Sequence, residues 1–521
     1  MKTGNKDSNR SGILLFMTDQ LSAKWLEIAL DSDICQNMNR LKEEGVSFSN
    51  AISSNPVCMP ARSTIATGLT TRGHGVLENG YRLDADLPTF MKALQGDGWR
   101  TGAFGKVHLQ PHFAGLFPDY HKYGFDVTHI TEDARGGEWL DWVKENHSEY
   151  YEDVLATIWP YEIPGFRDYG ADGLNLRDKI KKIRRDYQWA STKFPENDPS
   201  AYTLPFPAEV SQTEWITARA IDFLEKIDED RSFFAQVSYV QPHGPSSPPE
   251  RYLELVDEDQ IPPPAPPEWL EDPDAPDYFS DKEPKGGNWL HKRRCYFADL
   301  LHLDRQLGEI MEVLERRGRL EETYIIFLAD HGDLLFDHGF TGKEERHYDP
   351  CIRVPLMMKG PGLKEGLERR EMVQLEDICP TVLEIASTDL PSTPKMGPYL
   401  DIQAENIPIL SGKSLLSLSR GKRVADWRDA AYSESYNAIW SVDPGDWART
   451  VRTAEARYTF YPEGNGEQMF DLREDPDEQN NVVNRAEYAE LKKDLRKKLM
   501  ELIVMQDFPK TRRELFALGV H

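Results

Sequence analysis

An α/β fold built on a large, mostly parallel central sheet flanked by helices is what this sequence predicts, and three observations lead to it. Short uninterrupted apolar runs recur along the chain, each of a length that suits a strand buried on both faces. Between them lie segments whose apolar residues repeat at helical spacing. Four of the runs end abruptly in polar, chemically capable residues. Open α/β sheets bind ligands beyond the carboxyl ends of their strands, so four such endings point to one site.

Taken in order, Ile13–Met17 (ILLFM) is the first run and leads into Thr18-Asp19-Gln20. Asn55 to Gly68 then predicts a helix, with Pro60 suited to its first position and Gly68 to its close. Cys58 would sit just before that helix, where unpaired N–H groups and the macrodipole favour an anion. Arg62, one turn on, adds a planar donor suited to oxyanions. Thr101–Phe104 leads into Gly105-Lys106-Val107-His108, and Phe233–Val240 into Gln241-Pro242-His243. Tyr324–Ala329 leads into Asp330-His331-Gly332-Asp333.

The clearest helix is Tyr296–Arg317, closed by Gly318. The stretch from about 132 to 290 is rich in Asp, Glu, Trp and Tyr and carries the proline-rich Ile261–Tyr278. It reads as a large insertion shaping the mouth of the site. The expected organisation is a catalytic domain over 1–400 and a smaller C-terminal α+β subdomain over 401–521. In the latter, Arg457–Tyr461 and Met469–Leu472 resemble strands of a small antiparallel sheet. Arg485–Met505 reads as a terminal helix with Leu491, Leu495, Leu499 and Leu502 on one face.

Composition narrows the function. With 62 basic and 88 acidic residues the net charge is −26, which disfavours nucleic acid and anionic membrane surfaces as partners. No stretch approaches the roughly 18 apolar residues that span a bilayer. The start, MKTGNKDSNRSG, is polar and Ile13–Met17 is too short for a signal-peptide core, so the expectation is cytoplasmic as written, or periplasmic or secreted if a leader has been removed. The five cysteines are scattered and lack CxxC spacing, which supports neither a disulfide framework nor a cysteine zinc site.

Cys58-x-Pro60-x-Arg62 followed by Ser63-Thr64-x-x-Thr67-Gly68 resembles the signature of type I, formylglycine-dependent sulfatases of the alkaline phosphatase superfamily. Position 61 is Ala where that family more often has Ser. Asp19-Gln20 and Asp330-His331 match the family's two metal-ligand pairs, with Gly342-Lys343 at the expected distance. Gly105-Lys106-Val107-His108 matches its GKxH motif and Pro242-His243 its PH motif, while Gln374–Leu383 and Met469–Pro476 resemble later landmarks. The likeness runs in order from about residue 11 to 480, and it implies an alkaline phosphatase-like sheet.

By themselves, Asp19, Gln20, Asp330 and His331 offer mostly hard oxygen ligands plus one imidazole, a set that suits Ca²⁺, Mg²⁺ or Mn²⁺. The resemblance favours Ca²⁺ and adds residue 58 as a ligand. It also implies that a maturation enzyme oxidises Cys58 to Cα-formylglycine. One hydroxyl of the hydrated aldehyde would attack sulfur and expel the alcohol, and the second would eliminate sulfate. Lys106 and Lys343 would hold the sulfate oxygens, and Arg62 would brace the nucleophile. His108 would act as the base in elimination and His243 as the acid at the leaving oxygen. Asn79, a turn residue by propensity, lies where relatives often place a residue facing the ester, and is a substrate candidate.

The expected activity is hydrolysis of a sulfate monoester, with the Trp- and Tyr-rich insertion suggesting a sulfated saccharide and the net charge favouring a short or small one. A phosphonate monoester or phosphodiester hydrolase is the alternative enzyme, although such relatives typically lack the GKxH pair present here. A choline-sulfatase-like small-ester enzyme and a non-catalytic binder of sulfated glycans complete the alternatives. His338, His347, Arg346 and Arg353 read equally as ordinary loop contacts, and Lys179–Arg185 as a solvated helix face.

Overall fold

The computed structural model describes residues 11–186, 200–266, 268, 275, 288–343, 346–390, 411–436, 447–462 and 466–506. Its strands, in chain order, are β1 (Gly12–Asp19), β2 (Val46–Phe48), β3 (Ala51–Ile52), β4 (Arg100–Gly105), β5 (Val127–Ile130), β6 (Phe233–Pro242) and β7 (Thr323–Ala329). They continue as β8 (Leu356–Lys359), β9 (Leu367–Arg369), β10 (Val373–Gln374), β11 (Ala430–Ser435), β12 (Ala448–Thr453), β13 (Ala456–Phe460) and β14 (Glu467–Asp471). Eight of them form the central sheet, in the order β5-β4-β6-β1-β7-β8-β2-β9. Only β8 runs against its neighbours, so the sheet is mixed and mostly parallel.

The middle of the sheet is where the apolar runs predicted it. Ile13, Leu14, Leu15 and Phe16 of β1 are wholly buried, each gaining roughly 1.5–3 kcal/mol over exposure. A charge anywhere in that run would break it. One helical layer, Gln212–Lys226 packed on Trp289–Arg316, lies against β4 and β6; a second contains Cys58–Thr67, Phe90–Gly96 and Ile378–Ala386. Phe223 meets Phe104 and Phe90 meets Phe234, each pair with ring centroids 5.2 Å apart, tying both layers to the sheet.

Several boundaries differ from the sequence reading. The long helix begins at Trp289, seven positions before Tyr296, because Asn288 caps it by accepting the His291 N–H at 3.0 Å. Cys58 is the first residue of its helix and not a residue ahead of it, since Val57 holds the extended cap position. The range 132–290 is not one insertion: it contains β6 and the Gln212–Lys226 helix, which belong to the central layers. Most of the proline-rich segment after residue 266 lies outside the described residues.

The C-terminal part forms an antiparallel sheet, β11-β12-β13-β14, packed against the Ala489–Gln506 helix through Leu495 and Leu499. The boundary expected at 400/401 also lies outside the described residues. Leu415, Leu416 and Leu418, beyond it in sequence, pack into the main core.

Candidate active site

Strand ends and one helix start build the site. Asp19 ends β1, where the pairing with β6 slips its register between Met17 and Asp19 and sets Asp19 opposite Pro242. Such an irregularity turns a side chain out of the regular pleat. Gly105 ends β4 at φ 89°, and a Cβ there would lie 2.1 Å from the Ser238 carbonyl oxygen. Only glycine allows β4 to turn this tightly against β6 and deliver Lys106 and His108. Asp330 and His331 follow β7. Cys58 opens a helix that runs to Thr67, and Gly68 closes it in the left-handed region at φ 67°.

These pieces meet. Asp19, Cys58, Asp330 and His331 are all buried, and one ligand atom from each lies within 4.8 Å of the others. Cys58 Sγ is 3.3 Å from His331 Nε2 and 3.8 Å from Asp19 Oδ1. His331 Nδ1 donates to the Gly332 carbonyl at 3.0 Å, which leaves the Nε2 lone pair facing the cluster, as in a metal-ligating histidine. Arg62 locks the two carboxylates in place, with Nε 2.7 Å from Asp330 Oδ2 and Nη2 3.1 Å from Asp19 Oδ2. Its Nη1 donates to the Lys106 carbonyl at 2.7 Å and to Ser238 Oγ at 2.9 Å.

Two ammonium groups close the site. Lys106 Nζ lies 2.5 Å from Asp19 Oδ2 and donates to both oxygens of Asp133 at 2.7 Å. Lys343 Nζ donates to Cys58 Sγ at 2.7 Å. Burial by itself would push the Cys58 thiol up; the charges of Lys106 and Lys343 outweigh it and hold the thiol well below its usual range. Burial, with His112 next, pushes His108 down to about 4, so its imidazole is neutral at neutral pH. His108 is within hydrogen-bonding reach of Cys58. His243 Nδ1 donates to the Gly244 carbonyl at 2.8 Å, so this bond does not occupy Nε2.

Gln20 stands at φ 63° with its backbone N–H on Asp330 Oδ1 at 3.1 Å. Its side-chain nitrogen donates to Asp333 Oδ2 at 2.5 Å, so the amide oxygen is the atom left for a cation. Asn79 Oδ1 accepts the Met59 N–H at 2.9 Å and thus fixes the start of the Cys58–Thr67 helix. Asp19, Gln20, Cys58, Arg62, Lys106, His108, Asp330, His331 and Lys343 are therefore brought together, Asn79 meets the cluster only through the Met59 backbone, and His243 has its hydrogen bond on Gly244. His347, between Thr450 and Ser435, and His338, stacked on Tyr348, have structural partners elsewhere, as does Arg353 on Glu27. Lys179 pairs with Glu152 on the surface.

Asp133, Glu132, His112 and Ser238 were not anticipated. Glu132 and Asp133 follow β5, another strand end, but β5 (VTHI) is mostly half-buried and carries His129, so no apolar run marks it.

The donor set fits a divalent cation. Two buried carboxylates, an amide oxygen and an imidazole offer hard ligands, and burial followed by Asp19 pushes Asp330 up, a repulsion that a cation between them would relieve. Among the described residues no helix is long and apolar enough to cross a membrane.

Comparison with known proteins agrees with this chemistry. Residues 11–388 match the sulfatase family, and residues 336–505 match the family described as N-sulphoglucosamine sulphohydrolase, C-terminal. The chain is 26% identical to an arylsulfatase of Clostridium perfringens, covering 94% of each. It is also 26% identical to an N-acetylglucosamine-6-O-sulfatase of Bacteroides thetaiotaomicron, covering 95% of this chain and 87% of that one. Its fold is similar to that of a phosphonate monoester hydrolase of Agrobacterium radiobacter, with a TM-score of 0.73 at 23% identity, covering 95% of this chain and 96% of the other. With residues 11–388 matched, well over half of its length, the chain belongs to the sulfatase family of sulfuric ester hydrolases, within the alkaline phosphatase superfamily.

Proposed function

We propose that this sulfatase hydrolyses the sulfate monoester of a sulfated saccharide, with residue 58 as nucleophile after oxidation of Cys58 to Cα-formylglycine by a maturation enzyme. The observation that carries the reading is the placement of Cys58: first in its helix, 2.7 Å from Lys343 Nζ, and part of a buried cluster with Asp19, Asp330 and His331. Asp19, Gln20, Asp330, His331 and residue 58 would hold one divalent cation, Ca²⁺ by preference, with Mn²⁺ or Mg²⁺ as alternatives. Such a cation supplies Lewis acidity that polarises the ester and acidifies a bound hydroxyl.

The chain's own residues do the rest. Lys343 and Lys106 present two ammonium groups to the negative sulfate oxygens in a water-poor site. Arg62 keeps both carboxylates in register. Water adds to the residue-58 aldehyde to give two hydroxyls; as one of them, having lost its proton to solvent, bonds through oxygen to sulfur and the sulfur–alcohol bond breaks, His243 Nε2 gives its proton to the leaving oxygen. The neutral imidazole of His108 then accepts the proton whose loss lets sulfate depart and the aldehyde re-form. The saccharide preference draws on the named substrate of the Bacteroides relative.

A phosphonate monoester or phosphodiester activity is the second reading, favoured by the shared fold with the phosphonate monoester hydrolase. The GKxH pair Lys106 and His108, which such relatives typically lack, favours sulfate. The test is release of inorganic sulfate from N-acetylglucosamine-6-sulfate and 4-nitrophenyl sulfate, beside phenyl phosphonate esters, by protein whose residue-58 peptide has been weighed. An aldehyde at residue 58 with sulfate release supports the reading. A matured protein that turns over phosphonate esters and no sulfate ester overturns it.

A further inference from the structure

His108 occupies the left-handed region at φ 50°, a conformation that residues with a Cβ rarely adopt. Glu132 holds it there. One carboxylate oxygen, Oε1, accepts the Val107 N–H at 3.3 Å, the His108 N–H at 3.0 Å and the Tyr120 O–H at 2.8 Å. Glu132 is buried, so these charge-assisted bonds are shielded from competing water. Its other oxygen, Oε2, lies 3.7 Å from His112 Nε2, and the His112 ring stacks on that of His108 at 4.1 Å with planes 18° apart. The catalytic imidazole is thus held through its backbone from one side and against its ring face from another.

His108, His112 and Asp133 lie close enough together to suggest a second metal site. Two observations speak against it: both Asp133 oxygens already accept Lys106 Nζ at 2.7 Å, and near-parallel stacked rings do not converge on one ion.

We infer that Glu132 is a positioning residue for the hydrolysis, acting through His108: its Oε1 fixes the turn that aims the imidazole at residue 58. The inference rests on the role of His108 given above. It also explains why a carboxylate stands behind a turn whose reacting groups it never touches.

The test is a double-mutant cycle on matured, full-length protein with 4-nitrophenyl sulfate. Glu132→Ala is expected to lower kcat by about 10²-fold with KM changed less than about twofold, as a misplaced catalytic group does. Glu132→Gln, which keeps an acceptor at the same reach, stays within about fivefold of wild type. In a His108→Ala background, Glu132→Ala lowers kcat by less than about twofold more, because the group it positions is already gone. If Glu132→Ala does not fold, Glu132→Asp, which withdraws the carboxylate by one methylene, takes its place in the cycle. Equal losses from the Glu132 change in both backgrounds, or an unchanged kcat in folded Glu132→Ala, would overturn the inference. Full turnover by His108→Ala alone would instead refute the role of His108.

Discussion

Lys343 Nζ reaches Cys58 Sγ at 2.7 Å and, on its other side, His331 Nε2 at 3.2 Å. The ammonium is placed by its loop: Asp333 Oδ1 accepts the N–H groups of Leu335 and Gly342 at 2.8 Å each, pinning both sides of the segment that presents Lys343. The lysine is therefore aimed before any substrate arrives. Lys343→Ala is expected to lower kcat/KM by about 10²- to 10³-fold, the usual loss on removing one preorganised charge-stabilising donor. Steady-state kinetics on matured protein, beside an unchanged thermal melt, checks it.

Cys58→Ala should leave the fold intact, because the side chain it removes is small and the helix start is still held by Asn79 on the Met59 N–H. Turnover should fall to background while bound metal persists on the remaining ligands. Metal content by mass spectrometry and sulfate release, measured on the same preparation, decide it. Normal turnover by this variant would exclude residue 58 as the nucleophile.

Arg62 neutralises Asp330 and Asp19 at 2.7 and 3.1 Å with all three groups buried. Arg62→Met leaves two buried carboxylates without that partner, and removing one member of such a network costs about 3–5 kcal/mol. A divalent cation competes for the same carboxylates. Added Ca²⁺ should therefore recover part of the lost stability, and more of it in Arg62→Met than in wild type. Thermal melts with and without Ca²⁺, after exhaustive chelation, give the comparison; chelation should also bring wild-type turnover to background.

Asp299, wholly buried on the long helix, is pushed up to about 8 by burial, only partly offset by Lys292 and Arg135. Its folded pKa lies above the ordinary aspartate value of about 3.9, so the folded chain keeps a proton that the unfolded chain releases. The stability from that proton is present in acid and is lost as pH rises from about 4 through about 8. Asp299→Asn removes the titration. The melting temperature of this variant relative to wild type should rise steadily between about pH 5 and about pH 8 and then level off. A difference that does not change with pH would refute the assignment.

What the sequence disclosed, and what it hid, follows from how each element is buried. β1, β6 and β7 are buried along their whole length, so their sequences are continuous apolar runs and their polar ends stand out. Every site residue attached to those ends, or to the cysteine helix and the GKxH turn, was legible. β5 lies at one edge of the sheet, mostly half-buried and with a histidine in its middle, so its ending, Glu132-Asp133, carried no flag. The short strands β2, β8 and β9 are joined by long-range pairing that local patterning does not encode. Asn288 capping extended the long helix over His291, Lys292 and Arg293, polar residues that periodicity alone would have left out.

Cys58 is 0% exposed, sealed beneath Lys343 and His331 and flanked by Asp19. A thiol so enclosed cannot be grasped by another enzyme once the chain has closed around it. On the maturation proposed above, oxidation of residue 58 would therefore have to precede folding, on a chain still open around Val57 to Arg62. On that proposal, a molecule that folds before it is modified is lost to catalysis for as long as it stays folded. The yield of active protein then becomes a race between two rates, and slowing folding, as cold expression does, should raise the active fraction while leaving the total unchanged.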